Sequence, residues 1–257
     1  MSGGLRQRVG VSVCMASYNG ERFVLDQVHS ILNQLGPLDE LVVVDDASRD
    51  NTVKLLHGIG DPRVRLTRNA RNCGHVRTFE RSMTLARGSR ILLADQDDIW
   101  LPGRVELFKK LLPLSCAVVA ATALEIFDDS VGFTSNSPRE TLSLRQSVGV
   151  RDLANMMAGR QPYFGCAMGM SRSAARIVLP FPPYVEAHDH WIAVVGVALG
   201  GVSHSETPSV ARRLHTGNLT PVERRRLIER LSSRVIMIRM FLEARRRARS
   251  RSRGQCA

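Results

Sequence analysis

Short apolar, β-branched runs alternate along this chain with longer segments whose apolar residues recur at helical spacing. Val9-Gly10-Val11-Ser12-Val13-Cys14-Met15 alternates and predicts a first strand. A small polar turn, Ala16-Ser17-Tyr18-Asn19-Gly20-Glu21, precedes a helix with Val24, Val28, Ile31, Leu32 and Leu35 on one stripe, and Gly36-Pro37 ends it. Leu41-Val42-Val43-Val44 contains no polar residue, as expected of a parallel strand covered on both faces. It runs into Asp45-Asp46-Ala47-Ser48, where Ser48 or Asp50 is placed to cap a short helix. Val64-Arg65-Leu66 predicts a third strand, residues 68–74 a polar loop, and Phe79, Met83 and Ala86 the inner face of another helix. Ile91-Leu92-Leu93-Ala94 then predicts a fourth strand, ending in Asp95-Gln96-Asp97-Asp98. Four strands joined by three helices give an α/β fold with a mostly parallel sheet, and ligands belong at the carboxyl ends of its strands.

The pattern is looser beyond this point. Pro102 is expected in the first turn of a helix reaching about residue 112, because its missing N–H costs nothing there. Residues 116–127 read as one apolar strand, 128–146 as a polar loop long enough to cover a site, and 151–158 as a helix. Residues 163–170 read as a strand whose glycines allow close backbone approach. A helix is expected over 192–199, a strand near 201–204 and a polar loop over 212–218. In the tail, Leu227, Leu231, Val235, Ile238 and Leu242 are spaced by 4, 4, 3 and 4 residues, one helical stripe set among arginines. Two uses compete for that stripe: lying on an anionic membrane surface, or packing on the rest of the chain. Residues 245–257, mostly Arg and Ser, predict a disordered end.

Composition narrows the class. A chain of 257 residues with 44% hydrophobic content suits an ordinary globular protein of one large or two small domains. No run approaches the roughly 18 to 20 apolar residues of a membrane span. The short basic amino terminus leads directly into strand residues, so no cleavable signal is expected. Five scattered cysteines without CxxC spacing argue for a reducing, cytoplasmic setting and against a thiolate metal site. The net charge of +12 matters only locally: twelve Arg and three Glu from Pro221 onward leave +9 in the last 37 residues. The body is nearly neutral and the tail is strongly basic.

Three polar clusters fall at predicted strand ends: Ser17-Tyr18-Asn19, Asp45-Asp46 and Asp95-Gln96-Asp97-Asp98. Three carboxylates within four residues repel one another unless a cation lies between them. Oxygen donors without cysteine beside them suit Mg²⁺ or Mn²⁺. Neither a GxGxxG nor a Walker A motif occurs, so a nucleotide would be held by side chains and a metal instead of a glycine cradle.

Five segments in order carry a resemblance: Val11 through Glu21, Val44-Asp45-Asp46-Ala47-Ser48, Asp95-Gln96-Asp97-Asp98-Ile99-Trp100, His188-Asp189-His190-Trp191 and Arg213-Leu214-His215-Thr216-Gly217-Asn218. They resemble the motifs of family 2 glycosyltransferases, the third in the form seen in bacterial rhamnosyltransferase-like members. The resemblance covers roughly residues 9–221. It implies a GT-A fold, in which a Rossmann-like nucleotide-binding sheet continues into a smaller mixed acceptor-binding region. It also implies inverting transfer of a sugar, rhamnose among the candidates, from a dTDP- or UDP-type donor to a cell-surface glycan or lipid-linked acceptor. The corresponding organisation is a nucleotide-sugar half over residues 1–112, an acceptor half with the base over 113–220, and a basic amphipathic helix and tail over 221–257. The setting would be cytoplasmic, peripheral on the inner face of the cytoplasmic membrane.

Carried over by position, Ser17, Tyr18, Asn19, Glu21, Asp45, Asp46, Arg77, Asp95 and Gln96 would bind the nucleotide sugar. Asp45 would meet the base or ribose with Tyr18 beside it, and Asp95 the ribose or a metal-bound water. Asp97 and His215 would hold Mg²⁺ or Mn²⁺, Asp189 would be the catalytic base, and His188, His190 and Trp191 would meet the acceptor or position the base. Ala16 and Thr78 stand where a hydroxyl residue and Asn are usual, which bears on the nucleobase. No QxxRW segment occurs, which argues against a processive synthase.

The chemistry asks for these residue types. A diphosphate leaving group needs its charge neutralised, by a divalent ion with help from Arg68, Arg71, Arg77 or His215. The acceptor hydroxyl needs a carboxylate facing the anomeric carbon from the opposite side. Two rival readings differ in what they require. A sugar nucleotidyltransferase would want a Gly- and Arg/Lys-rich first loop, which residues 15–21 are not. A nucleic-acid-binding protein would rest on the Arg-rich tail alone, and the motifs imply no specific nucleic acid.

Overall fold

The computed structural model describes residues 10–128, 140–142, 150–158, 163–215 and 227–254. Its first half follows the predicted alternation: β1 (Val11–Ser17), α1 (Val24–Leu32), β2 (Glu40–Asp45), α2 (Thr52–Gly58), β3 (Val64–Arg68), α3 (His75–Leu85) and β4 (Arg90–Asp95). Then come β5 (Ile99–Trp100), α4 (Arg104–Leu111), β6 (Val119–Thr122), β7 (Leu124–Asp128), β8 (Glu140–Leu142) and α5 (Val150–Met157). A 3₁₀ turn (Gly165–Ala167), β9 (Met168–Ser171), α6 (Arg172–Val178), α7 (His188–Ala198), β10 (Val202–Ser205), β11 (Val210–Leu214) and α8 (Leu227–Gly254) complete it.

Seven strands form one sheet in the order β10-β6-β9-β4-β1-β2-β3, parallel except for β9, which runs antiparallel to both neighbours. Leu41, Val42, Val43 and Val44 are buried without exception, as a strand covered on both faces should be. Alternate residues sort to the two faces. Val13, Met15, Leu41 and Leu92 meet Val24, Val28 and Ile31 of α1 with Val105 and Phe108 of α4. Cys14, Ile91, Leu93 and Val119 meet Phe79 and Met83 of α3 with apolar residues of α6 and α7. The chain steps outward through β2 and β3, then returns to the other side of β1 with β4. Strand order therefore reverses between β1 and β4, where an open α/β sheet leaves its crevice. A second sheet, β5-β11-β7-β8, lies beyond the end of β4 and joins residues far apart in sequence.

Several expectations change. The helix after the acidic cluster starts at Arg104, not Pro102, because the chain first makes a left-handed turn at Gly103 (φ 84°), a conformation cheap only for glycine. Residues 116–127 form two strands, with Ala123 as the corner between the sheets. Its N–H donates to Ser205 O (2.8 Å) and its carbonyl accepts from Ser209 N (3.2 Å). Only the end of 163–170 is strand. The close approach expected of its glycines is present at Gly169, where a Cβ would sit 2.6 Å from Leu92 and 2.9 Å from Phe108. Within 128–146, β8 pairs antiparallel with β7, and the rest of that loop lies outside the described residues. Half of the supposed polar loop 212–218 is β11, paired parallel with β7 and antiparallel with β5, while Thr216 to Asn218 lie outside the described residues.

The tail also differs. α8 continues through the Arg- and Ser-rich stretch to Gly254. Among its described side chains it buries Met237, Met240 and Ala244, while Val235, Ile238 and Leu242 of the predicted stripe are exposed and the side chains of Leu227 and Leu231 lie outside the described residues. The segment 235–242 is apolar nearly all round, so spacing alone could not select the inner face.

Candidate active site

The loops after β1, β2 and β4 meet at the crevice, and many polar residues there are occupied in holding loop to loop. Asn19 N–H donates to Ser48 Oγ (2.9 Å), Gly20 N–H to Thr52 Oγ1 (2.8 Å), and Asn19 Oδ1 accepts from Arg49 N–H (2.9 Å). Asn19 and Ala47 take positive φ to allow this, at 47° and 64°. Asp50, not Ser48, serves the start of α2, accepting from Thr52 N–H at 3.0 Å. Glu21 Oε2 accepts from Asn51 N–H (2.9 Å) and Nδ2 (3.0 Å), so its carboxylate latches one loop to the other.

Gln96 makes a reciprocal pair across the crevice. Its Oε1 accepts from Tyr18 N–H (2.9 Å) and its Nε2 donates to Tyr18 O (3.0 Å). The amide fits because residue 20 is glycine; a Cβ there would lie 2.2 Å from Gln96 Oε1. Gln96 thus sets the Tyr18 loop, leaving the Tyr18 ring exposed at the crevice.

Asp45 and Asp46 are tied into the loops around the crevice. Both carboxyl groups are buried and bonded within the protein. Asp45 accepts from Ser48 N–H (2.9 Å), Ser48 Oγ and Ser17 Oγ (3.2 Å), with Arg68 Nε 3.6 Å away. Asp46 accepts from Asn69 Nδ2 (2.7 Å) and from the N–H groups of Cys73 and Gly74 (2.8 Å each), which shapes the 68–74 loop. These bonds tie the ends of β1 and β2 to the 68–74 loop, with Ser17 buried among them. Arg77 does not turn toward the crevice: its guanidinium binds Glu80 (2.6 Å) and the Phe181 carbonyl (3.3 Å).

The end of β4 holds the acidic cluster. His215 Nε2 lies 2.8 Å from Asp97 Oδ2, so the two predicted metal ligands, 118 residues apart, are brought together half-buried. The His215 ring rests on Phe23 with centroids 4.7 Å apart. Asp95 is half-buried beside them, and its backbone carbonyl accepts from Gln27 Nε2 (2.7 Å). Burial first, then the charges of Asp97 and Asp189, push its carboxyl up to about 7, while Arg212 and Arg104 oppose the shift. Asp189 is therefore near enough to act electrically on this acidic cluster. It sits in the first turn of α7, and its Oδ1 accepts from His190 N–H (2.7 Å). The cap position is Ala187, whose side chain cannot cap.

His188 and Trp191 depart from an acceptor role. Trp191 is fully buried and its Nε1 donates to Val178 O (2.8 Å), so it anchors α7 in the core. His188 is buried and stacked on Phe79 with centroids 4.1 Å apart, and burial pushes its imidazole down to about 4. It serves α7 as a neutral packing group. His190 remains half-buried beside Asp189.

Four residues outside the predicted set complete the site. Arg104 is wholly buried under the acidic loop. Its guanidinium donates to Leu93 O (3.2 Å), Cys166 O and Ser209 Oγ, and lies over the Trp100 ring at 4.5 Å. Arg213 donates its backbone N–H to Asp98 Oδ1 (3.1 Å) and its Nε to Asp97 O (2.9 Å), and its guanidinium lies between Phe23 and Phe127. Arg212 contributes positive charge beside Asp95. Asp98 is enclosed, and burial with Asp97 and Asp95 holds its carboxyl well above the usual range. None of these contacts has a local signal, since each joins segments distant in sequence.

The donor set fits a hard divalent ion. Asp97 and His215 offer an oxygen and a nitrogen at an accessible point where neighbouring carboxylates already repel one another. Among the described residues, Asp95, Asp98 and Cys166 also bring donor atoms within 4.8 Å of one another. That group is the poorer set for a hard ion, because one of its three donors is a cysteine sulfur.

Comparison with known proteins places this geometry. Among solved structures, S. aureus TarS 1-349 in complex with UDP-GlcNAc superposes with a TM-score of 0.67 at 16% identity, covering 89% of this chain and 66% of that one. The mannosyltransferase PcManGT from Pyrobaculum calidifontis in complex with GDP-Man and Mn²⁺ gives 0.56 at 20% identity, covering 83% and 59%. The fold is that of GT-A glycosyltransferases. The succinoglycan biosynthesis protein ExoO of Rhizobium meliloti (strain 1021) is 34% identical over 116 residues, 45% of this chain and 33% of ExoO. The Escherichia coli UDP-Glc:alpha-D-GlcNAc-diphosphoundecaprenol beta-1,3-glucosyltransferase WfgD is 34% identical over 97 residues, 38% of each chain. The matched segments thus span well under half of these relatives. Residues 12–176, which carry β1 through β9 with the crevice and the Asp95–Asp98 loop, match the profile of Glycosyl transferase family 2, and this chain belongs to that family.

Proposed function

We propose that the chain transfers a sugar from a nucleoside diphosphate to a hydroxyl group of a glycan or lipid-linked acceptor, with inversion at the anomeric carbon. The observation that carries this reading is the meeting of Asp97 and His215 at the end of β4, with Asp189 held in the first turn of α7. Asp189 takes the proton of the acceptor hydroxyl as its oxygen attacks the sugar from the side opposite the diphosphate. Asp97 and His215 would hold Mg²⁺ or Mn²⁺, which when bound supplies Lewis-acid neutralisation of the leaving diphosphate. The exposed Tyr18 ring faces the nucleotide beside the β1–β4 crevice, Asp95 meets the ribose, and Arg212 adds charge near the phosphates.

The TarS complexes with UDP and UDP-GlcNAc and the printed name of WfgD support a UDP-type donor. The Asp95-to-Trp100 form makes dTDP-rhamnose the second donor to test. The acceptor in the name of WfgD is a sugar on diphosphoundecaprenol, which supports a lipid-linked acceptor presented at the inner face of the cytoplasmic membrane. Among the described residues no helix is long and apolar enough to cross a membrane.

Thermal unfolding with UDP, dTDP and GDP, each with and without Mn²⁺, tests the donor site. At roughly 100-fold excess over Kd, bound ligand adds about 2.7 kcal/mol, or about 5 °C or more in Tm for a domain of this size. A Mn²⁺-dependent rise with one nucleotide is expected. No rise with any of them contradicts the reading.

A further inference from the structure

The outward face of α8 plays no part in the proposed reaction, yet it is unlike an ordinary solvated surface. The inner face is settled: Met237, Met240 and Ala244 are buried in the same core as α7. Arg247 fastens the helix by donating to the carbonyls of Ile177 (3.1 Å) and Pro180 (2.7 Å). Turned away from the protein are Val235, Ile238 and Leu242, at 66%, 46% and 62% exposure. Around them stand the exposed Arg234, Arg239, Arg245, Arg246 and Arg249. Arg239 lies over the Tyr184 ring at 4.0 Å, and an open cavity of about 400 Å³ runs between α8 and the loop of Pro182, Pro183 and Tyr184. That loop leads directly into the first turn of α7, which carries Asp189.

We propose that this face is a docking surface for an anionic lipid bilayer, with Val235, Ile238 and Leu242 entering the acyl boundary and the arginines lying among the headgroups. Charge complementarity selects this occupant. A second copy of the same face would set arginine against arginine. A nucleic acid would engage the arginines and leave three apolar side chains at helical spacing in water. A basic helix with its apolar residues on the outer face has the composition of an interfacial element. The inference deepens the proposed function and rests on it only for its purpose, the delivery of a lipid-linked acceptor to the side bearing Asp189.

The test is co-sedimentation of the full chain with vesicles of phosphatidylcholine mixed with phosphatidylglycerol, against phosphatidylcholine alone. The wild-type chain binds the mixed vesicles, binds neutral ones far less, and is released as salt rises. Each arginine near the surface is worth about fivefold in affinity, so combined Arg234→Gln, Arg245→Gln and Arg249→Gln weakens binding by about a hundredfold. Combined Val235→Ser, Ile238→Ser and Leu242→Ser also weakens it by tenfold or more, roughly the effect of removing a few buried methylene groups. Both variants keep the wild-type melting temperature and rate of nucleotide-sugar hydrolysis without vesicles, since these side chains face solvent. Absence of binding by the wild type, equal binding to neutral vesicles, unchanged binding by the variants, or binding to duplex DNA but not to vesicles each overturns the docking surface. Vesicle binding without any nucleotide-sugar turnover upholds it and removes only the proposed reaction.

Discussion

Asp95, Asp97 and Asp98 stand within four positions yet occupy three electrical environments. Asp97 is paired with His215, Asp95 is raised by burial and two other acids, and Asp98 is enclosed and also raised. Environment, not residue type, divides their work. His188 makes the same point for a base. Burial pushes it down to about 4 against an ordinary value of 6.5, with Asp189 opposing the shift and His75 and His190 adding to it. Between those values the unfolded chain binds a proton that the folded chain refuses. The contribution is therefore full above about pH 6.5 and is lost as pH falls through about 4, on the order of 3 kcal/mol. Urea midpoints across this window are expected to fall on acidification in the wild-type chain. They are expected to fall less steeply in His188→Gln, which has nothing to titrate there.

Among elements, the first turn of α4 does more than connect strands. It sets Arg104, whose guanidinium burial pushes down to about 10, beneath Asp95 and Asp98, whose charges oppose that shift. Arg104→Met removes the cation from beside Asp95, which is still partly ionised at neutral pH, and leaves the Leu93 and Cys166 carbonyls and the Ser209 hydroxyl without their donor. The expected loss is about 3–5 kcal/mol at neutral pH, read from chemical denaturation. The loss shrinks as pH falls and the acids take up protons.

The same element shows how far the sequence could be read. Strands β1, β2 and β4 announce themselves because their burial on both faces demands unbroken apolar runs, and the chemistry at their ends is visible as polar clusters. Arg104 gives no such sign, because its partners come from β4, the 3₁₀ turn and the start of β11. β11 itself was hidden by its arginines: Arg213 looks like loop in one dimension and becomes a buried strand residue only between Phe23 and Phe127. Asp45, Asp46 and Glu21 stand out in the sequence as polar residues at strand ends, but the loop-to-loop bonds their oxygens make are visible only in the fold. In α8 the choice between two apolar faces was made by the surface of α7, which no periodicity contains.

For the whole molecule, the large sheet and the small one meet at the Ala123 corner and again beyond the end of β4. β5, directly after the acidic loop, pairs with β11, whose end delivers His215 to Asp97. α7 brings Asp189 from the other face of the large sheet, near enough to influence Asp95. A nucleotide in the β1–β4 crevice would thus have its diphosphate toward Asp97 and its sugar toward Asp189. Donor affinity should depend on one acid and transfer on the other. The most direct measurement compares Asp189→Asn with the wild-type chain in Mn²⁺, following donor binding by calorimetry and sugar transfer in the same preparation. Donor affinity within about twofold of wild type, with transfer reduced on the order of 10² to 10⁴, is the expected result. Transfer at the wild-type rate by Asp189→Asn would contradict it.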